Sequence, residues 1–350
     1  MSPGARGYAP TMKAKSGTIL LAVFASAGLA FGQPAPTTIP IPGGEGGIGF
    51  DDLRYSLSLG RVIVPAGGAE AIALVEPGSW KLTQIDGLGA RQEFGGGHDA
   101  GVTSADEGRG FLFAADRGTQ RLLVVDPKDG RVVNSGRLAG SPDYVRWIEP
   151  TGEVWVTEPD KDRIEIFRLE GNPPRPVHDD FLEVPGGPES LVVDVARGRA
   201  YTNLWKSTTV ALNVKNRGTL AKWPNGCEGS RGIALDAERG YVFVGCAEGA
   251  GVTLDAKTGK ILGKLRTGNG IDIIDYSPRL RHLYLPGGKS ATMGIAAVSA
   301  TGALTLLGEI PTAAGGHCVV ADASGNAYVC DPKAGRLLVV PDAASDDSRP

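Results

Sequence analysis

Between Gly229 and Leu265 the chain reads GSRGIALDAERGYVFVGCAEGAGVTLDAKTGKILGKL. Four short apolar pieces, GIALD, YVFVG, GVTLD and KILGKL, are separated by AERG, CAEGAG and AKTG. Strand-length pieces joined by turns that carry glycine and aspartate read as consecutive antiparallel hairpins. A four-stranded sheet of this size has two faces to cover and cannot bury both by itself, so the unit is expected to recur.

It does recur. RGFLFAADRGTQRLLVVDPKDGRVV (109–133), GEVWVTEPDKDRIEIFRL (152–169), GRAYTNLWKSTTVALNV (198–214) and GNAYVCDPKAGRLLVV (325–340) repeat the pattern. At one constant offset, Asp51, Tyr55, Ser56, Leu59 and Pro65 coincide with Asp272, Tyr276, Ser277, Leu280 and Pro286. A period in the forties with four strands per unit predicts an all-β fold, a seven-bladed β-propeller with four-stranded antiparallel blades. The innermost strands are expected to start near Asp51, Asp99, Asp143, Glu189, Arg231, Asp272 and His317. The last unit stops after Val340 without a fourth strand, whereas TTIPIP (37–42) precedes the first unit with no sheet of its own. An N-terminal strand therefore closes the ring, its prolines tolerated at an outer edge.

The start of the chain breaks this pattern. Lys13 and Lys15 precede the apolar run Ile19–Phe31, followed by small residues to Gly32. A basic start, a run too short to span a bilayer and a small-residue site predict a signal peptide over 1–32. The propeller then spans 33–342, and 343–350, within the acidic stretch Asp342–Asp347, reads as a disordered tail. Removing 1–32 takes away Arg6, Lys13, Lys15 and no acid, moving the net charge from −3 to −6. An exported periplasmic or secreted monomer follows, with no integral membrane segment after signal removal. Nothing basic enough to hold nucleic acid by charge is present.

The four cysteines fit an oxidising compartment and form no CxxC. Cys318 and Cys330 face each other across a hairpin centred on Ser324, and Cys227 and Cys246 flank the open end of another. Two disulfides within single blades are expected.

Tyr201-Thr202-Asn203, followed by Thr208-Thr209-Val210 and Leu212, resembles the strand motif of the YVTN-type β-propeller family. Trp155-Val156-Thr157-Glu158 and Tyr328-Val329-Cys330-Asp331 are looser versions, and the DPKDG and DAKTG turns fit as well. The resemblance covers residues 37–342. It implies the propeller fold and an exported or surface protein that binds something; it carries no catalytic motif.

Chemistry is expected where the innermost strands start, because those residues converge on one mouth of the central channel. Asp51, His98, Asp99, Asp143, Glu189, Arg231, Asp272 and His317 are the candidate ligand-binding residues. Five of them are carboxylates, and five cannot all ionise around one opening without positive charge nearby. A divalent cation, calcium or magnesium, on Asp51, Asp272 and Glu189 would supply it; His98 and His317 leave room for a transition metal. His317, beside Asp51 or Asp272, is the candidate catalytic base, while His98 reads as a turn residue and His178 and His282 as unpartnered.

The leading expectation is a non-catalytic binder of a small ligand, cation or envelope protein. The alternative is a metal-dependent lyase or lactone hydrolase using His317 and the mouth acids, loosely similar to streptogramin lyases or gluconolactonases. A third is a scaffold in an envelope complex. A protein-binding face would expose apolar residues in the loops after the second strands, DRGTQ, EPDKD, LWKST, CAEGAG and DPKAG, which are mostly small and polar. Trp147, Trp155, Trp205 and Trp223 are expected to pack between blades.

Overall fold

Each apolar run becomes one strand, and the breakers between them become the turns. In the fifth unit the strands are Ser230–Asp236, Tyr241–Cys246, Ala250–Asp255 and Ile261–Arg266, bonded in that order. The computed structural model describes residues 36–89, 92–98 and 100–342. The expected signal peptide, Asp99 and the tail 343–350 lie outside the described residues. Among the described residues there are seven four-stranded antiparallel sheets, six of them built from consecutive strands. In the seventh, Thr37–Pro40 pairs with Arg336–Pro341 as the outermost strand, Thr37 opposite Val339 and Pro40 opposite Arg336. Both ends of the propeller unit are thereby held in one sheet.

The reason for the ring lies in how burial changes across a blade. Second and third strands are buried on both faces, as in Phe111–Asp116 and Arg121–Asp126, because blades stack on each other. Fourth strands, such as Arg131–Arg137 and Ile261–Arg266, lie at the periphery and are mostly exposed or half-buried. One position organises the stacking. The third residue of the second strand is Ile63, Phe113, Trp155, Tyr201, Phe243, Tyr284 or Tyr328 in successive blades, and each is fully buried. Six of these are aromatic, so each of those blades drives one large wedge into the interblade core, where such side chains contribute most. The aromatics of the YVTN-like motifs, Trp155, Tyr201 and Tyr328, are three of these wedges.

Both disulfides form within single blades, Cys227–Cys246 and Cys318–Cys330, with Cα separations of 5.3 and 5.6 Å. They link residues 19 and 12 positions apart. Asp342 is not loose: its carboxylate meets His282 Nδ1 at 2.7 Å and the Tyr284 hydroxyl at 2.8 Å. The expectation that His282 lacks a partner is corrected by that contact. His178 is corrected likewise, since its Nδ1 lies 2.9 Å from the buried Glu165. Both partners come from other strands or loops, which local reading cannot see. No helix among the described residues is long and apolar enough to cross a membrane.

Candidate functional site at the channel mouth

The first strands begin at Arg54, Val102, Val145, Val192, Ser230, Asp275 and Val319, within three residues of the expected starts. The inner-ring residues therefore sit in the loops just before them, with Arg231 just inside its strand. Glycines before several of them take positive φ, at Gly97, Gly187, Gly270 and Gly315, a conformation other residues adopt at a cost. Gly49 matters for space instead. A Cβ there would stand 2.6 Å from the Gly97 carbonyl, so only glycine lets the His98 loop come so close.

A cavity of about 370 Å³ opens at this mouth, lined among others by His98, Asp143, Glu189, Arg231 and Asp272. It thus unites four of the expected charged residues with His98. Asp51 lies beneath, buried, and its carboxylate meets His98 Nδ1 at 2.9 Å and Arg117 at 3.2 Å. His317 stacks obliquely on His98, ring centroids 5.7 Å apart.

Sequence reasoning missed several lining residues, among them three whose side chains carry charge or a large ring: Arg117, Asp160 and Trp205. All three come from loops after second strands, DRGTQ, EPDKD and LWKST. The slot immediately after that strand holds Gly67, Arg117, Pro159, Trp205, Ala247, Gly288 and Pro332 in turn. Only Arg117 and Trp205 carry long side chains there, and both reach the mouth. The signal was available: these loops share a face with the inner-ring residues. Trp205 is a correction, since it is 41% exposed at the rim. Trp155 and Trp223 do pack between blades, and Trp147 stacks on Phe113.

Arg117 changes the electrostatics. It pairs with Asp51 and Asp143 and also donates to the His98 carbonyl at 3.1 Å. Arg231 pairs with Glu189 at 2.7 Å. The repulsion expected among the acids is thus met largely by cations of the chain, and Asp51 and Glu189 already have positive partners. Burial pushes the Asp51 carboxyl up, but His98, Arg117 and His317 more than offset it and hold it below its ordinary range. The Asp51 charge raises His98 to about 9. Burial, with Asp272 and Asp51 nearby, lifts Glu189 to about 7 despite Arg231. Burial and the neighbouring acids raise Asp143 too, against the pull of Arg117.

Of the two acids expected beside His317, Asp272 is the one that comes within 4.8 Å of it, and Asp51 is not its hydrogen-bond partner. Asp51 pairs with His98, and His317 Nδ1 instead donates to the Gly315 carbonyl at 2.6 Å. At the mouth two groups of potential ligand atoms converge among the described residues: His98–Asp272–His317 and Asp51–His98–Asp143. Asp272 is the one member of the expected Asp51–Asp272–Glu189 set in the first group.

The chain is similar in structure to a chain in a crystal structure of a mitotic checkpoint complex, with a TM-score of 0.69 at 13% identity, over 93% of this chain and 99% of that one. It is likewise similar to a chain of Kuenenia stuttgartiensis hydrazine synthase, with a TM-score of 0.68 at 11% identity, over 91% of this chain and 100% of that one. At such identities the likeness speaks for the propeller fold alone. No protein-family model matches the chain, and no curated protein matches it in sequence.

Proposed function

We propose that this protein is an exported propeller that binds a small polyhydroxylated ligand, a sugar or sugar acid, in the channel-mouth cavity. The observation that carries the reading is the lining itself. Donors from Arg117 and Arg231 share the wall with acceptors from Asp143, Asp160, Glu189 and Asp272, beside the exposed Trp205. Closely spaced donors and acceptors match vicinal hydroxyls, and an exposed indole offers an apolar platform for a ring face. A cavity of about 370 Å³ is in the range of small-ligand sites. Trp205 is the one large exposed apolar residue in the loops after the second strands, so this face favours a small ligand over a protein partner. Export is supported by the basic and apolar N-terminal run and by two disulfides, which persist in oxidising compartments. The YVTN-type assignment remains a proposal carried by the strand motifs quoted above.

The test is calorimetry and ligand-observed NMR with glucose, glucuronate and trehalose as probes. At least one probe is expected to bind, and Trp205→Ala to weaken it about tenfold or more with an unchanged melting temperature. Absence of binding by all three, or binding indifferent to Trp205→Ala, would overturn the reading.

A further inference from the structure

The two histidines at the mouth have their Nδ1 atoms fixed by different partners. His98 Nδ1 faces the Asp51 carboxylate at 2.9 Å. Arg117 NH1 lies 3.1 Å from both the same Nδ1 and the His98 carbonyl; a guanidinium only donates, so with its hydrogen on the carbonyl the Nδ1 proton faces the Asp51 carboxylate, the nearest acceptor. His317 Nδ1 contacts a carbonyl, which only accepts, so that nitrogen carries the proton. In neutral His317 the lone pair is then on Nε2. That atom is buried and has no hydrogen-bond partner among the described residues. A buried polar atom without a partner is destabilising and calls for an explanation. Ligand atoms of His98, Asp272 and His317 all lie within 4.8 Å of one another.

We propose that His98, His317 and Asp272 hold a divalent first-row transition metal, of the zinc class, through the two Nε2 atoms and one carboxylate oxygen. The donor set decides the class: two imidazoles and a carboxylate suit zinc, cobalt or iron, whereas calcium and magnesium take oxygen shells. The outer shell has the form seen around ligating histidines. Asp51 and the Gly315 carbonyl each accept from the far nitrogen, fixing ring orientation. Metal–ligand bonds of about 2.0–2.2 Å require the three side chains to draw together by rotation from their present spacing. Three protein ligands leave a coordination position open. His98 and Asp272 also line the ligand cavity, so that position is reached from it. The inference rests on the reading of this mouth as a binding site, and it adds that a metal forms part of its wall.

The experiment uses the full chain without an affinity tag, stripped with chelator and titrated with zinc, cobalt, calcium and magnesium separately, no sugar present. One equivalent of zinc and of cobalt is expected, cobalt giving a visible band of a nitrogen-ligated, four- or five-coordinate ion. His317→Ala and Asp272→Asn are each expected to weaken zinc at least about fiftyfold. Asp51→Asn, which touches only the outer shell, is expected to weaken it about tenfold to a hundredfold. No zinc or cobalt binding, or affinity unchanged in both His317→Ala and Asp272→Asn, overturns the site. Should those variants fail to fold by circular dichroism, the cobalt spectrum of the unmodified chain decides, and a spectrum of oxygen ligands alone overturns it. Sugar binding that survives while metal binding is absent removes the metal and leaves the ligand site standing.

Discussion

Asp51 and Asp52 are neighbours in sequence and belong to two different charge networks. Asp52 turns away from the mouth and receives the Arg146 guanidinium on both oxygens, at 2.5 and 2.9 Å. Ser104 donates to it at 2.6 Å, and the Arg146 Nε donates to the Leu191 carbonyl at 2.8 Å. Four successive blades, from the first to the fourth, are tied by that one pair. Each Arg146 guanidinium nitrogen and each Asp52 carboxylate oxygen has a partner, and both side chains are 4% exposed or less. Asp51 belongs to a network that does not close. Its Oδ2 meets both His98 and Arg117, but the chain of contacts continues to His317 Nε2, which has no partner among the described residues, and to the carboxylates around the cavity. The same residue types thus serve two ends. A closed network stiffens a ring; an open one leaves valences for something from outside.

The largest way to break this comparison is Arg146→Ala. It leaves Asp52 buried without a counter-charge, and the expected loss is about 3–5 kcal/mol in chemical denaturation. A loss under about 1 kcal/mol would mean the pair is worth no more than an exposed one. Arg117→Ala is expected to cost less, about 1–3 kcal/mol, because Asp51 keeps His98 and the cavity admits water to Asp143. It should weaken sugar binding at the same time, whereas Arg146→Ala, if it folds, should spare the affinity. Arg117→Lys, which keeps the charge but not the planar fork, is expected to restore stability only in part.

The smallest effect belongs to Asp275, which lines a different cavity, of about 730 Å³, at the other end of the inner strands. Burial raises its carboxyl from 3.8 to about 6, although the Ala321 amide donates to it at 2.8 Å. Between these values the unfolded chain ionises the group and the folded chain keeps the proton. Stability from this residue therefore falls as pH rises from about 3.8 to about 6 and is level above. Asp275→Asn should flatten that part of the stability profile, measured by thermal melts across pH. An unchanged slope would show that Asp275 ionises in the fold as freely as in the unfolded chain.

The propeller was legible because its period is a local property repeated many times. Alternating apolar residues, turn residues and cysteine spacing each constrain a few neighbouring positions, and seven copies of one pattern reinforce one another. Strand starts, the closing strand at Thr37–Pro40 and both cysteine pairs follow from such local rules. The site was legible only in outline. The positions before the inner strands were expected at the mouth, since topology alone brings them there. Arg117 and Asp160 were not singled out and Trp205 was expected between blades, because small polar neighbours in their loops mask them. His98 was expected at the mouth but read as a turn residue in its chemistry, since its pairing with Asp51 and His317 comes from other blades that the ring brings to it.

By itself the amino-acid sequence determined the number of blades, the way the ring closes and where, within three residues, the inner strands begin. Hydrophobic alternation and turn chemistry act over a few residues and do not depend on what lies across the ring. Only the tertiary structure decided which acid faces which cation, that Asp51 takes His98 while Asp52 takes Arg146, and that His317 is left with an unused nitrogen. Those outcomes depend on distances of a few ångströms between side chains from different blades. Coulomb and hydrogen-bond energies change steeply over such distances, and no local pattern encodes them.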